Sequence, residues 1–263
     1  YEQQLRIMYD TIEYLDTMLS TASCRIMYGE YCVPQLSHQA NGKFAVTEMY
    51  HPLIPEGVRN SITAERSVLL TGSNASGKST FIKTVALNAI LAQTLHTVLA
   101  ENYQASWFCI ASSMALRDDI LSQESYYIVE IRSLKRILDL TRSSELPVLC
   151  FIDEVLRGTN TVERIAASSR ILQAIAEQGG LCFAATHDIE LTYLLEKEYD
   201  NYHFEEQVED DKVTFDYCLR EGRACTRNAI RLLKMLGYDE KIVDDANERV
   251  ALFLKSGNWV PSH

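Results

Sequence analysis

The sequence predicts an α/β fold in which a mostly parallel sheet is flanked by helices and carries an antiparallel hairpin at its edge. Three observations predict it. Val148 to Ile152 and Leu181 to Ala185 are continuous apolar runs, the pattern of strands covered on both faces. These runs alternate with segments of helical period, which implies right-handed crossovers between parallel strands. A third apolar run, Ser67 to Leu70, leads through a glycine-rich turn into another helical segment.

Residues 1 to about 30 carry Leu5, Met8, Tyr9, Ile12, Leu15 and Leu19 at three- and four-residue steps, the stripe of one packed helix face. Tyr31 to Ile62 holds Pro34, Gly42, Pro52, Pro55 and Gly57 and reads as loops with short strands. A long helix is expected from the glycine turn to about Leu99, then a strand over Trp107 to Ile110 and a helix over Gln123 to Thr141. Val162 to Gln178 is helical and is stopped by Gly179-Gly180. Tyr202 to Val208 and Lys212 to Leu219 read as two antiparallel strands around the acidic turn Glu209-Asp210-Asp211. Two helices follow, Arg227 to Leu236 and Asp239 to Leu254, with Gly237 as the stop between them and Asp239 as N-cap.

The 263 residues suffice for one sizeable core with a small appendage. The apolar stretch Thr84 to Ala100 is broken by Asn88, Gln93 and His96, so no membrane span is expected, nor is a signal peptide. A first residue Tyr1 suggests a piece of something longer. The seven cysteines are scattered, odd in number and without a C-x-x-C pair, a usage that suits a reducing cytoplasm. A net charge of −11 with no basic tract argues against a surface that grips DNA by itself.

The chemistry concentrates in three places. Gly72-Ser73-Asn74-Ala75-Ser76-Gly77-Lys78-Ser79 fits G-x-x-x-x-G-K-[ST] between a strand and a helix, the context in which backbone amides and a helix N-terminus cradle phosphates. Gly72 and Asn74 to Thr80 are therefore the expected residues for binding a nucleoside triphosphate, with Lys78 reaching the β- and γ-phosphates and Ser79 a ligand of Mg²⁺. Asp153 and Glu154 leave the carboxyl end of a buried strand, where open α/β sheets bind ligands. Asp153 is expected to share the Mg²⁺, and Glu154 to orient or deprotonate the attacking water. His187, at the end of the next apolar run, is placed to contact the γ-phosphate.

Taken together, Thr71 to Thr80, Phe151 to Thr161 and Ala185-Thr186-His187 resemble the ATPase domain of the MutS mismatch-repair family, a branch of the ABC-type P-loop ATPases. Ser125 to Ile131 is similar to the family's S-T-F-M-x-E-M segment, His51-Pro52 to its upstream H-P, and Arg223 to Ala246 to its closing helix pair. The resemblance runs from about Tyr14 onward with the motifs in the family's order. It implies a DNA mismatch repair ATPase that forms a homodimer around ATP, with Ser125 acting in trans on the partner's γ-phosphate. It also implies that residues 1–30 are the helical tail of a lever-like domain, 31–236 the ATPase domain and 237–263 a helical appendage. DNA would be held by domains outside this chain, which itself would make no membrane contact.

The chain departs from the family at Ser76-Gly77, where the family has G-G, at Tyr126 after the signature serine, and at Val155-Leu156. No aromatic residue for stacking on adenine stands near Gly57-Val58. Two alternatives within the same chemistry are an ABC subunit coupled to a membrane partner, against which no L-S-G-G-Q occurs, and a MutS-like ATPase with a different DNA role. A third is a nucleotide-dependent assembly module without catalysis.

Overall fold

The structure, a computed structural model, describes residues 1–38, 42–54, 56–73, 75–114, 126–157, 159–209, 212–224 and 229–257. It opens with the 27-residue helix α1 (Glu2–Tyr28). The short strands β1 (Gln35–Ser37), β2 (Phe44–Met49) and β3 (Asn60–Ala64) precede β4 (Ser67–Thr71) and helix α2 (Lys78–Leu95). Next come β5 (Asn102–Ser106), β6 (Cys109–Ser113) and α3 (Tyr126–Ser143), then β7 (Val148–Asp153), α4 (Thr161–Glu177) and β8 (Leu181–Ala185). Helix α5 (Ile189–Leu194) leads to β9 (Tyr199–His203), β10 (Glu206–Glu209), β11 (Lys212–Phe215) and β12 (Arg220–Glu221). Helices α6 (Ala229–Met235) and α7 (Glu240–Ser256) pack on each other at the end.

The main sheet has the order β12-β9-β4-β8-β7-β6. Every pairing between β9 and β6 is parallel, and β12 joins the β9 edge antiparallel. β4, β7 and β8 lie in its interior, which explains why their sequences lack alternation: both faces are covered. One face packs under α2, where Leu70, Val85, Phe151 and Phe183 share a cluster; the other meets α3 and α4 through Leu134, Leu172, Cys150 and Cys182. Phe151 and Phe183 stack at 5.9 Å between centroids. Each such fully buried side chain contributes about 1.5–3 kcal/mol relative to exposure. A second sheet, β1-β5-β2-β3, adds Phe44 and Tyr103 to the same core.

Several elements differ from expectation. The long helix stops at Leu95, not Leu99, because His96 adopts a left-handed conformation (φ 47°) and Val98 then bridges to Cys32. Around Trp107 the chain forms two strands, β5 and β6, that serve different sheets. The hairpin β10–β11 stands as a two-stranded sheet of its own instead of extending the main edge, and the alternating run through Leu219 ends as a strand at Phe215. Along α1 only Thr21 is buried, so the apolar stripe finds no packing partner among the described residues. Its C-terminal end is anchored by Arg25, which donates to Thr97 Oγ1 and to the His96 carbonyl. Among the described residues no helix is long and apolar enough to cross a membrane.

Candidate functional site

β4 delivers Thr71 into a tight turn that only particular backbone conformations can make. Gly72 has φ 144°, and a Cβ there would meet the Phe204 carbonyl and Ser76 Oγ at 2.8 Å. Gly77 has φ 108° and caps α2; Ala75 is left-handed at φ 66°. These reversals turn the loop back on itself ahead of the helix N-terminus, the geometry of an anion nest.

Within the nest Lys78 is folded inward, only 5% exposed, donating to the carbonyls of Gly72 (2.8 Å) and Ser73 (2.7 Å). Burial pushes its ammonium down to about 8, against the upward pull of the Glu154, Asp153 and Glu206 carboxylates. Glu206, itself buried, accepts from the Ser73 hydroxyl. Ser79 is half-buried on the first turn of α2 and Thr80 is exposed.

The carboxyl ends of β7 and β8 supply the opposing groups. Asp153 pairs in register with Ala185, and its Oδ1 is buried without a hydrogen-bond partner among the described residues. Glu154 follows in a left-handed conformation (φ 60°), its amide bonded to the Ala185 carbonyl at 3.1 Å. Its carboxylate holds Arg157 through Oε2 (2.6 Å) and His187 Nε2 through Oε1 (3.1 Å). His187 is fixed from both sides: the Thr186 amide donates to the Leu70 carbonyl, and Arg164 grips Asp188 through two nitrogens. Three strand ends thus converge, with Glu154 between the lysine and the histidine.

A cavity of about 500 Å³ opens beside the nest, a size that suits a nucleotide. Ala75 to Phe81, Glu154, Met49, His51, Ile54 and Val58 are among the residues that line it. Gly72, Asp153 and His187 lie beside it without lining it. Burial and the nearby Lys83 charge keep the His51 imidazole below its ordinary pKa. Asn74 and Ser125 lie outside the described residues, as does Gly158 in the Arg157–Asn160 loop.

Sequence reasoning missed three groups. Tyr217 brings an aromatic ring to the cavity from the far end of the chain, held by the Asn60 side chain, which donates to the Tyr217 carbonyl (3.1 Å) and accepts from the Leu219 amide (2.7 Å). It sits at φ 54° with its ring stacked on Phe215. Alternation over Val213 to Leu219 hid it in a presumed strand. Glu206 carries no local signal, and Glu130, a 2%-exposed acid on α3, is visible only as the acid of the Ser125–Ile131 motif, with no role attached.

The family model described as MutS domain V matches residues 68–254. The DNA mismatch repair protein MutS of Natronomonas pharaonis is 31% identical over 242 residues, covering 89% of this chain and 28% of that protein. Its counterpart in Pseudothermotoga lettingae is 32% identical over 246 residues, covering 89% and 30%. The DNA mismatch repair protein MSH3 of Phaeosphaeria nodorum is 29% identical over 258 residues, covering 93% and 23%. The chain therefore spans less than a third of the length of each of these relatives.

Proposed function

We propose that this chain, which belongs to the MutS family, binds ATP in the cavity beside the Gly72–Thr80 loop and hydrolyses it to ADP and phosphate. The observation that carries this reading is the convergence of a buried Lys78 with the Asp153 and Glu154 carboxylates at neighbouring strand ends. An unpaired buried carboxylate oxygen is costly. Asp153 Oδ1 has that cost uncompensated, and a hard cation held by Asp153 and the Ser79 hydroxyl removes it. Mg²⁺ bound there would neutralise charge on the triphosphate.

Lys78 exchanges the Gly72 and Ser73 carbonyls for phosphate oxygens, and the loop amides with the start of α2 take the remaining charge. A water oxygen then attacks the γ-phosphorus as the bond to the β,γ-bridging oxygen breaks, and ADP takes that electron pair. Glu154 orients this water or takes its proton, and His187 fixes Glu154 on the side away from the loop while approaching the γ-phosphate. Ile54 and Val58 offer an apolar wall and Tyr217 a ring face to the base.

In the parent protein, we infer, two copies meet around ATP, with Ser125 of each completing the other's site. Residues 1–30 then continue a lever, 237–263 form an appendage, and domains outside this chain hold DNA in the cytoplasm, where ATP turnover moves them. The mismatch repair names of the relatives support this wider role. The test is Mg²⁺-dependent phosphate release by the purified chain. Glu154→Gln should abolish release while ATP binding persists, and equal turnover in both proteins would overturn the assignment.

A further inference from the structure

We propose that Glu130 is a positioning residue for Glu154: its carboxylate holds the backbone of the segment after β7 and thereby fixes where the Glu154 carboxylate faces. The proposal rests on the hydrolytic reading above and extends it to a residue that never touches nucleotide. Glu130 lies on the second turn of α3 and is buried. Its Oε1 accepts from the Leu156 amide, and the neighbouring Arg157 amide favours the charged form of the same carboxylate.

The segment it grips has an unusual backbone. Glu154 and Leu156 are both left-handed, at φ 60° and 55°, and neither is glycine. Such conformations persist only where the surroundings over-determine them. Here three restraints do so. The Glu154 amide is tied to the end of β8, Val155 and Leu156 pack into the cluster that holds Leu134 and Ile137 of α3, and Glu130 takes the Leu156 amide. Only the last restraint comes from an ionisable side chain.

The site is expensive for its residue type. Glu130 Oε2 is buried with no hydrogen-bond partner among the described residues. Burial pushes the carboxyl up to about 7, with the Leu156 amide opposing and the Glu154 charge assisting. A well-packed apolar residue would stabilise this position more cheaply. What the acid supplies is an acceptor for the Leu156 amide, in the segment whose Glu154 carboxylate bonds His187 and Arg157. Movement of α3 therefore reaches Glu154 directly.

The experiment compares the full chain with Glu130→Gln, which keeps an acceptor oxygen, and Glu130→Ala, which removes both. Should the alanine variant fail to fold, Glu130→Asp takes its place, since it retracts the carboxylate by one methylene. Three quantities are read at a temperature where all variants are folded: Mg-ATP turnover, affinity for a fluorescent ATP analogue, and amide exchange of residues 154–157. For Glu130→Ala, kcat is expected to fall about tenfold or more with analogue affinity within about twofold, the signature of lost positioning. Exchange at 154–157 should quicken about tenfold while β7 and β8 stay protected. Glu130→Gln should recover most of both.

Unchanged exchange at 154–157 in Glu130→Ala overturns the proposal, as does a glutamine variant no better than alanine. Loss of turnover and affinity together would reduce Glu130 to a structural group. If the wild-type chain hydrolyses no ATP, the hydrolytic reading falls by itself, and the exchange result still decides whether Glu130 holds the segment.

Discussion

Lys78 shows what a buried cation costs beside the proposed nucleotide cavity. Its burial leaves a cation satisfied only by two carbonyls and by the field of three acids, so its proton is lost near pH 8 in the free protein. Bound triphosphate stabilises the charged form, so nucleotide affinity should fall as pH rises from 7 to 9, by up to about tenfold per unit above the transition. Titrating ATP affinity with a fluorescent analogue across that range checks it. The same shift has a sign for folding. The folded pKa lies below the ordinary 10.5, so the unfolded chain binds more protons between the two values, and this group's contribution to stability rises with pH over that window. Glu130 behaves oppositely. Its pKa is raised from 4.5 to about 7, so the stability it confers is complete below 4.5 and is lost as pH passes 7. Denaturant titrations should show Glu130→Gln gaining on wild type between pH 5 and 8, by at most roughly 3 kcal/mol. Lys78, Ser79, Asp153, Glu154 and His187 could be nominated from the sequence because each sits at a strand end or loop position with a spacing signature. Glu130 was quoted within a motif but carried no reason of its own, since burial against residues 156 and 157 is a fact about packing.

Among the elements, the P-loop strand and the two apolar runs behaved as their sequences required. Interior strands of a parallel sheet have no solvent face, so β7 and β8 could not alternate. Caps were equally local: Asp239 accepts from the Lys241 amide at the start of α7, and Asn160 accepts from Val162 at the start of α4. Asn160→Ala should lower stability by about 1 kcal/mol, measurable as a shift in melting temperature, with ATP affinity unchanged. Asn60 has the contrary profile. It ties β3 to the Tyr217–Leu219 segment, so Asn60→Ala should release the Tyr217 ring and weaken ATP binding by several-fold, the equivalent of one or two hydrogen bonds at about 1 kcal/mol each. Unaltered affinity in that variant would remove Tyr217 from the base site. The antiparallel pairing of the hairpin was read from the sequence, but not its separation from the main sheet, because β10 and β11 bond to each other while β12 takes the edge.

For the whole molecule, the reading as half of a paired ATPase makes a concentration-dependent claim. Specific activity should rise with chain concentration and then saturate, because a site completed in trans works only when two chains meet; a flat profile would exclude the paired arrangement. The unpartnered stripe of α1 belongs to this scale as well: Leu5, Ile12 and Leu19 are more than half exposed, although their spacing matches that of a packed face. Periodicity reports that a face is apolar, and it cannot report what covers it. By itself the sequence determined the strand–loop–helix phosphate cradle, the acids ending β7, the interior character of the sheet and the family. Those rest on residues adjacent in the chain or on period, which local sterics and burial enforce. Only the tertiary structure brought Tyr217 to the cavity, Glu206 to the Ser73 hydroxyl and Glu130 to the Leu156 amide, because each arrives from a distant segment through packing and long-range hydrogen bonds.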